Sequence, residues 1–205
     1  MTVVDERVGA LATELTGTLL RPGDAGYDEA RRIHNGLIDK RPALIARCRS
    51  AADIARAISF AREVGLEISI RGGGHNVAGR ACTEGGLMID LAEMRAVEVD
   101  PERRTARAQG GANWSELNAA TAEHGLAVTG GAISTTGIAG LTLGGGLGWL
   151  MGLQGLAADN VISVELVVEL ARAPARVSHI DARTTQRPER VRIDLGRQEA
   201  DRLDH

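Results

Sequence analysis

The feature that most constrains this chain is a strand that runs straight into three consecutive glycines, Gly72-Gly73-Gly74. The approach to it is regular. Ala43-Leu44-Ile45-Ala46 has the apolar character of a short strand, and Ser50, with Asp53 three residues on, opens a helix in the manner of a capping box. Ile54, Ala57, Ile58, Ala61 and Val64 form one face of that helix, and Gly65 ends it. Glu67-Ile68-Ser69-Ile70 is the next strand. Strand, helix and strand make a βαβ unit, which implies a parallel pair. A glycine loop behind such a strand lets backbone N–H groups approach a phosphate with no Cβ in the way.

Two nucleotide motifs can be tested against this loop. Gly74 and Gly79 have the spacing of a Walker A loop, but Arg80-Ala81 stand where Lys and Ser or Thr are required. Without the lysine and the Mg-binding hydroxyl, a nucleoside-triphosphatase module is disfavoured. The dinucleotide fingerprint GxGxxG fails as well, because Val77 stands at the third glycine.

Elsewhere Val8, Leu11, Leu15 and Leu19 predict one helix face over Asp5 to Leu20, stopped by Pro22-Gly23-Asp24. Leu87 to Leu91 is a third short strand. Val97, Val99, Thr105, Arg107 and Gln109 alternate around Asp100-Pro101-Glu102-Arg103, which predicts a hairpin. Trp114 to Gly125 is an amphipathic helix with Trp114, Leu117, Ala120 and Thr121 facing inward. Ten of the 26 glycines fall between residues 130 and 155, too many for regular elements alone, and Asn160 to Val167 resumes as a strand.

Composition excludes more than it selects. With 43% hydrophobic and 25% charged residues the chain has a soluble globular balance, and a net charge of −3 gives no nucleic-acid signature. Cys48 and Cys82 form no CxxC or metal-ligand spacing, and are expected as buried free thiols. No apolar run reaches the ~20 residues of a membrane span. Asp5 and Glu6 are unlike a signal peptide, so the expected location is cytoplasmic. His34, His124, His179 and His205 are expected at the surface, and no catalytic residue or metal ligand stands out.

Three ordered blocks then carry a resemblance. The first is Ile70-Arg71-Gly72-Gly73-Gly74-His75-Asn76-Val77-Ala78-Gly79, followed by Gly86 to Leu91. The second is Thr129-Gly130-Gly131, then Thr135-Thr136-Gly137-Ile138-Ala139-Gly140-Leu141-Thr142-Leu143-Gly144-Gly145-Gly146-Leu147-Gly148. The third is Gly155 to Val161. Over roughly Arg41 to Val167 the chain resembles the berberine-bridge-enzyme-like, FAD-linked oxidases of the vanillyl-alcohol-oxidase type. The resemblance implies an α+β fold of the PCMH type: a small βαβ-containing subdomain, then an incomplete mixed or antiparallel α+β subdomain. The implied division is a helical segment over 1–40, a first FAD-binding subdomain over 41–95, an incomplete second one over 96–168, and a tail over 169–205 that is disordered or poorly packed.

The cofactor implied is FAD. Its expected contacts are Arg71, Gly72, Gly73, Gly74, His75, Asn76 and Gly79 in the first block. In the second and third they are Thr129, Gly130, Gly131, Thr135, Thr136, Gly137, Gly140, Gly144, Gly145, Gly146, Asn160 and Val161. His75 is implied as the covalent attachment point: a neutral imidazole nitrogen attacks the flavin 8α carbon once a proton has left it. Some family members add a cysteinyl bond just before the second glycine block. Here that stretch reads Ala132-Ile133-Ser134-Thr135, so a single link is expected. Gly144 to Gly148 can alternatively serve close packing alone, and Trp149 and Leu150 are expected in the core.

The match breaks after Val167. The Arg-rich tail resembles an out-of-frame reading of a GC-rich gene, and the expectation is a truncated or frameshifted product without its substrate domain. Two functions follow. One is an FAD-dependent oxidoreductase acting on a small alcohol, amine or sugar with oxygen as acceptor, provided a complete active site forms. The alternative is a catalytically inert FAD-binding fragment, or half of a split flavoprotein.

Overall fold

The structure, a computed structural model, describes residues 3–170, 173–181, 191–194 and 196–197. The chain forms two compact units: Met1–Met94 with Leu166–Ser178, and Arg95–Glu165 with His179–His205.

In the first unit, helix α1 (Val3–Glu14) buries Val8 and Leu11, with Leu15 just beyond it. Leu19, expected on the same helix, lies instead on strand β1 (Thr18–Leu20). The reason is a tertiary pairing. A Cβ on Gly17 would sit 1.8 Å from the Arg47 carbonyl oxygen, so this glycine lets the chain close on strand β2 (Leu44–Arg47). The two strands pair antiparallel from Thr18↔Arg47 to Leu20↔Ile45. Helix α2 (Tyr27–Ala30) follows, and the buried Tyr27 hydroxyl donates to the Pro42 carbonyl at 2.6 Å.

Helix α3 (Ala51–Val64) has the expected ends. Ser50 accepts from the Asp53 N–H at 3.2 Å, and Gly65 closes the helix in the left-handed region at φ 73°. Asp53 is itself fully buried and accepts from the Thr16 N–H, the Thr16 hydroxyl and the Arg49 N–H. Burial opposes its charge, but these hydrogen bonds outweigh burial and hold the carboxyl below its ordinary value.

Strands β3 (Ile68–Arg71) and β4 (Leu87–Asp90) complete a sheet of order β1-β2-β4-β3. The strands of the βαβ unit are therefore not adjacent. β4 lies between them, parallel to both, with Leu87 opposite Leu44 on one side and Ile68 on the other. Leu87, Met88 and Ile89 are fully buried, as a central strand covered on both faces requires. Val8, Leu11, Phe60 and Ala61 pack with one set of sheet residues, and Tyr27, Ala30 and Cys82 with another.

In the second unit, β5 (Val97–Asp100) and β6 (Thr105–Ala108) form the expected antiparallel hairpin, with Asp100 Oδ1 accepting from the Arg103 N–H. Helix α4 (Trp114–Ala122) opens with a full capping box: Asn113 accepts from the Ser115 and Glu116 N–H groups, and Glu116 returns to the Asn113 N–H. Its inward face is Trp114, Leu117 and Thr121, while Ala120 is only half-buried. Short elements follow: β7 (Leu126–Ala127), α5 (Ile138–Leu143) and α6 (Met151–Gln154). Strand β8 (Val161–Leu170) then follows.

Beyond it the described stretches are strands β9 (Ala173–Asp181), β10 (Val191–Asp194) and β11 (Gly196–Arg197). These strands fall within the 169–205 segment expected to be disordered or poorly packed. The edge of β6 carries unpaired backbone groups, and β10 satisfies them in antiparallel register, Val191↔Ala108 to Asp194↔Thr105. The sheet order is β5-β6-β10-β8-β9. The rest of the tail, and the side chain of His179 and all of His205, lie outside the described residues.

Candidate cofactor site

The first glycine loop rises from the end of β3. Gly74 has φ 70° and Gly79 the same value, a backbone region that favours glycine. A Cβ on Gly79 would also strike Ile38 at 2.7 Å. The loop is strapped to the segment before β2. The His34 N–H donates to the Gly74 carbonyl at 3.0 Å, Asn35 Nδ2 to the Val77 carbonyl at 2.8 Å, and Lys40 Nζ to the Gly79 carbonyl at 3.1 Å.

The side chains of Arg71 and the exposed Asn76 bond within this scaffold. Arg71 forms a two-point pair with the fully buried Asp90 (Nε to Oδ1 2.9 Å, Nη2 to Oδ2 3.1 Å) and donates Nη1 to the Arg32 carbonyl at 2.8 Å. Asn76 Oδ1 accepts from the Arg80 N–H at 3.1 Å and closes the turn that ends at Gly79. Sequence reasoning grouped both with the cofactor contacts. In the structure their side chains hold the loop in shape, and Asp90 is a partner that reasoning missed.

His75 stands at the crest of the loop, half-buried. Its ring stacks on that of His34, with centroids 4.0 Å apart and planes 14° from parallel. Burial, and secondarily the neighbouring His34, hold the His75 imidazole below its ordinary pKa and favour its neutral form. His34 is exposed, as expected, yet its ring lies against that of His75. A contact between residues so far apart in sequence leaves no local signal.

In the second unit the glycines divide by what surrounds them. A Cβ on Gly130 would fall 2.3 Å from the Trp114 ring, one on Gly146 2.5 Å from Ala157 Cβ, and one on Gly148 1.7 Å from the Gly130 carbonyl oxygen. These positions serve close packing. Around Gly140 nothing lies within 4 Å of a Cβ, and Gly144 and Gly145 have only ordinary contacts there; the N–H groups of Gly144 and Gly145 donate to the Leu141 and Thr142 carbonyls. Thr135 is exposed and Thr136 half-buried; the Thr136 carbonyl accepts from the Trp114 N–H at 3.1 Å, which holds Gly137 at the start of α5.

Among the described residues, the buried Thr129 Oγ1, Thr142 Oγ1 and Trp114 Nε1 have no hydrogen-bond partner. An unmet buried donor costs about 1–3 kcal/mol, so each leaves a place for an outside polar group. Thr129 was expected from sequence. Thr142 and Trp114 were not, although Thr142 lies within the glycine-rich block. Asn160 spends its side-chain amide on the Gln154 and Leu156 carbonyls at 3.0 and 2.7 Å, which shapes the turn before Val161.

One expectation here is corrected. Trp149 is 87% exposed and Leu150 half-buried, because Trp114, Leu117, Leu126 and Ile138 already fill the core. Trp149 and Leu150 instead line an open cleft of about 280 Å³ with Asn118, Thr121, Gly130 and Gly131.

Residues 42–171 match the family model described as FAD binding domain. The chain belongs to this family. It is 42% identical to the (R)-6-hydroxynicotine oxidase of Paenarthrobacter nicotinovorans over 77% of its own length and 35% of that protein. It is 35% identical to an uncharacterized FAD-linked oxidoreductase of Bacillus subtilis over 76% of its length, again 35% of the relative. The crystal structure of 6-hydroxy-D-nicotine oxidase from Arthrobacter nicotinovorans superposes with a TM-score of 0.83 at 34% identity, covering 90% of this chain and 43% of that one. A berberine-bridge-like enzyme of Physcomitrella patens shares the fold at TM-score 0.82 and 23% identity, over 96% of this chain and 45% of that one. The chain thus spans about a third of the length of the curated relatives it matches.

The residues of each unit fit FAD. Gly72 to Gly74 put no Cβ between the loop backbone and a phosphate, and the unmet hydroxyls of Thr129 and Thr142 offer donors to a polar ligand. When bound, FAD supplies a two-electron acceptor. No described helix is long and apolar enough to cross a membrane, and no group of three or more metal-ligating side chains occurs among the described residues.

Proposed function

We propose that this chain is the FAD-binding part of an FAD-linked oxidoreductase that carries its flavin on His75 through a single covalent bond. The observation that carries the reading is the state of His75. It is a half-buried imidazole biased to its neutral, nucleophilic form, at the crest of the glycine loop that follows β3. The bond balances as a two-electron oxidation: an 8α C–H and the imidazole N–H are lost, a C–N bond forms, and dioxygen leaves as hydrogen peroxide.

The absence of a second link has its own support. Cys48 and Cys82 are the chain's two cysteines, and both are buried free thiols in the first unit. In this reading Gly72 to Gly74 approach the diphosphate by backbone, and Gly140, Gly144 and Gly145 give the cofactor room in the second unit. Gly130, Gly131 and Gly146 act behind them by permitting close packing. Oxidation of a small-molecule substrate with oxygen as acceptor belongs to the same proposal and rests on the relatives' names.

Expression of the chain, acid precipitation and fluorescence of the pellet test the attachment. Flavin fluorescence in the wild-type pellet and its loss in His75→Ala are expected. Flavin wholly in the supernatant, or a fluorescent His75→Ala pellet, overturns it.

A further inference from the structure

The relation of His34 to His75 is more than proximity. Three hydrogen bonds fasten residues 32–35 along the glycine loop: Arg71 Nη1 to the Arg32 carbonyl, the His34 N–H to the Gly74 carbonyl, and Asn35 Nδ2 to the Val77 carbonyl. With the backbone fixed on both sides, the two imidazoles meet face to face at 4.0 Å. A ring held this way cannot turn freely about its side-chain bonds, and its in-plane nitrogens keep a set direction. Attack on carbon needs that direction, since the lone pair lies in the ring plane and a small misplacement of a reacting atom costs much of the rate.

We propose that His34 is a positioning residue for His75, its ring acting as the wall that fixes the plane of the nucleophilic imidazole. The proposal rests on the reading of His75 as the flavin attachment point. His34 touches no reacting atom itself. It also bears on charge, because two imidazoliums cannot comfortably share a stack, and a proton on His34 opposes one on His75. The other charged groups on these elements are engaged elsewhere or point outward. Arg31 is bound to Asp28 and Asp39, Arg71 to Asp90, and Lys40 to the Gly79 carbonyl, while Arg32 and Arg80 are exposed. His34 is accordingly the neighbour whose charge registers on His75.

Two substitutions separate the stack from the charge. His34→Phe keeps a flat ring and removes the ionisable group; His34→Ala removes both. The full chain is incubated with FAD, total binding is followed by flavin fluorescence quenching, and covalent yield is read in the acid pellet. With His34→Ala, total FAD binding is expected to stay within about twofold while covalent yield falls on the order of tenfold, and His34→Phe is expected to restore most of it. An unchanged yield in His34→Ala, or a His34→Phe yield as low as that of His34→Ala, overturns the proposal.

A second measurement needs no flavin. The rate at which diethyl pyrocarbonate labels His75, read by peptide mass spectrometry against pH, gives the midpoint of its neutral form. The wild-type midpoint is expected below that of a free histidine, and in both variants it is expected to rise toward about 6.5. A midpoint the same in all three proteins overturns the coupling. If the wild type forms no covalent flavin, the attachment reading fails, and this measurement still decides whether His34 acts on His75.

Discussion

The Arg71 guanidinium lies against the Asp90 carboxylate in a two-point pair, at 2.9 and 3.1 Å, with the carboxylate fully buried. Asp90 ends the central strand of the first sheet, and Arg71 ends its neighbour just before the glycine loop. The pair therefore joins two strand ends at the base of the loop that carries His75.

Removing Asp90 leaves Arg71, and Arg47 whose Nε lies 3.4 Å from the same carboxylate, without their shared counter-charge. Asp90→Ala is expected to destabilise the first unit by about 3–5 kcal/mol, read as a fall in the urea midpoint. Arg71→Lys keeps the charge but loses the fork, and is expected to fall between Asp90→Ala and wild type. Equal stability of Asp90→Ala and wild type would remove the pair from any structural role.

The second-unit glycines are expected to split in the same assay. Gly148→Ala drives a methyl into the Gly130 carbonyl and is expected to cost about 3 kcal/mol. Gly140→Ala meets open space inside α5 and is expected to stabilise the fold by up to about 1 kcal/mol. If Gly140 gives the cofactor room, the same substitution weakens FAD binding on the order of tenfold, about 1.4 kcal/mol. Stability and cofactor affinity moving in opposite directions is the outcome to look for.

Acid is expected to loosen the fold in two separate windows. His75 has a folded pKa below its unfolded value near 6.5, so between the two the unfolded chain binds more protons. Its contribution is therefore present above about pH 6.5 and is lost as pH falls through the lowered folded value. Asp53, also lowered, keeps its contribution down to about pH 4 and loses it below. His75→Phe is expected to flatten the first window of a urea-midpoint profile and leave the second in place.

The thiols are expected to be inert in the folded chain. Burial, with Asp53 and Asp90 nearby, pushes Cys48 up to about 12, and burial likewise raises Cys82. Neither is expected to react with iodoacetamide at pH 8 until urea unfolds the chain. Rapid native labelling of either would show a thiol that the fold leaves accessible and reactive.

Elements with their own periodicity or end signals were legible. Ser50 and Gly65 bracket α3 because caps are local chemistry, and the hairpin about Asp100 to Arg103 follows from alternation. What was not legible depends on partners far along the chain. Three residues cannot announce β1, whose existence rests on Gly17 meeting Arg47. The lane between β2 and β3 is invisible from the βαβ pattern alone. In the site, the glycine blocks and His75 stood out, but the roles within them did not. The Arg71 and Asn76 side chains bond within the loop's own scaffold, Gly130 and Gly148 sit in close packing, and His34 is a neighbour found only by folding. Trp149 was misplaced because apolar character predicts burial only where the core has room.

The interposed position of β4 sets an order of assembly. When residues 44–71 have left the ribosome, β2 and β3 have been made but the lane between them is empty, so neither has its parallel neighbour. Both central ladders, and the counter-charge for Arg71, arrive with residues 87–90. The glycine loop is thus synthesised before the strand that anchors it. A chain that stops before Leu87 therefore lacks both central ladders and the Asp90 carboxylate that holds Arg71.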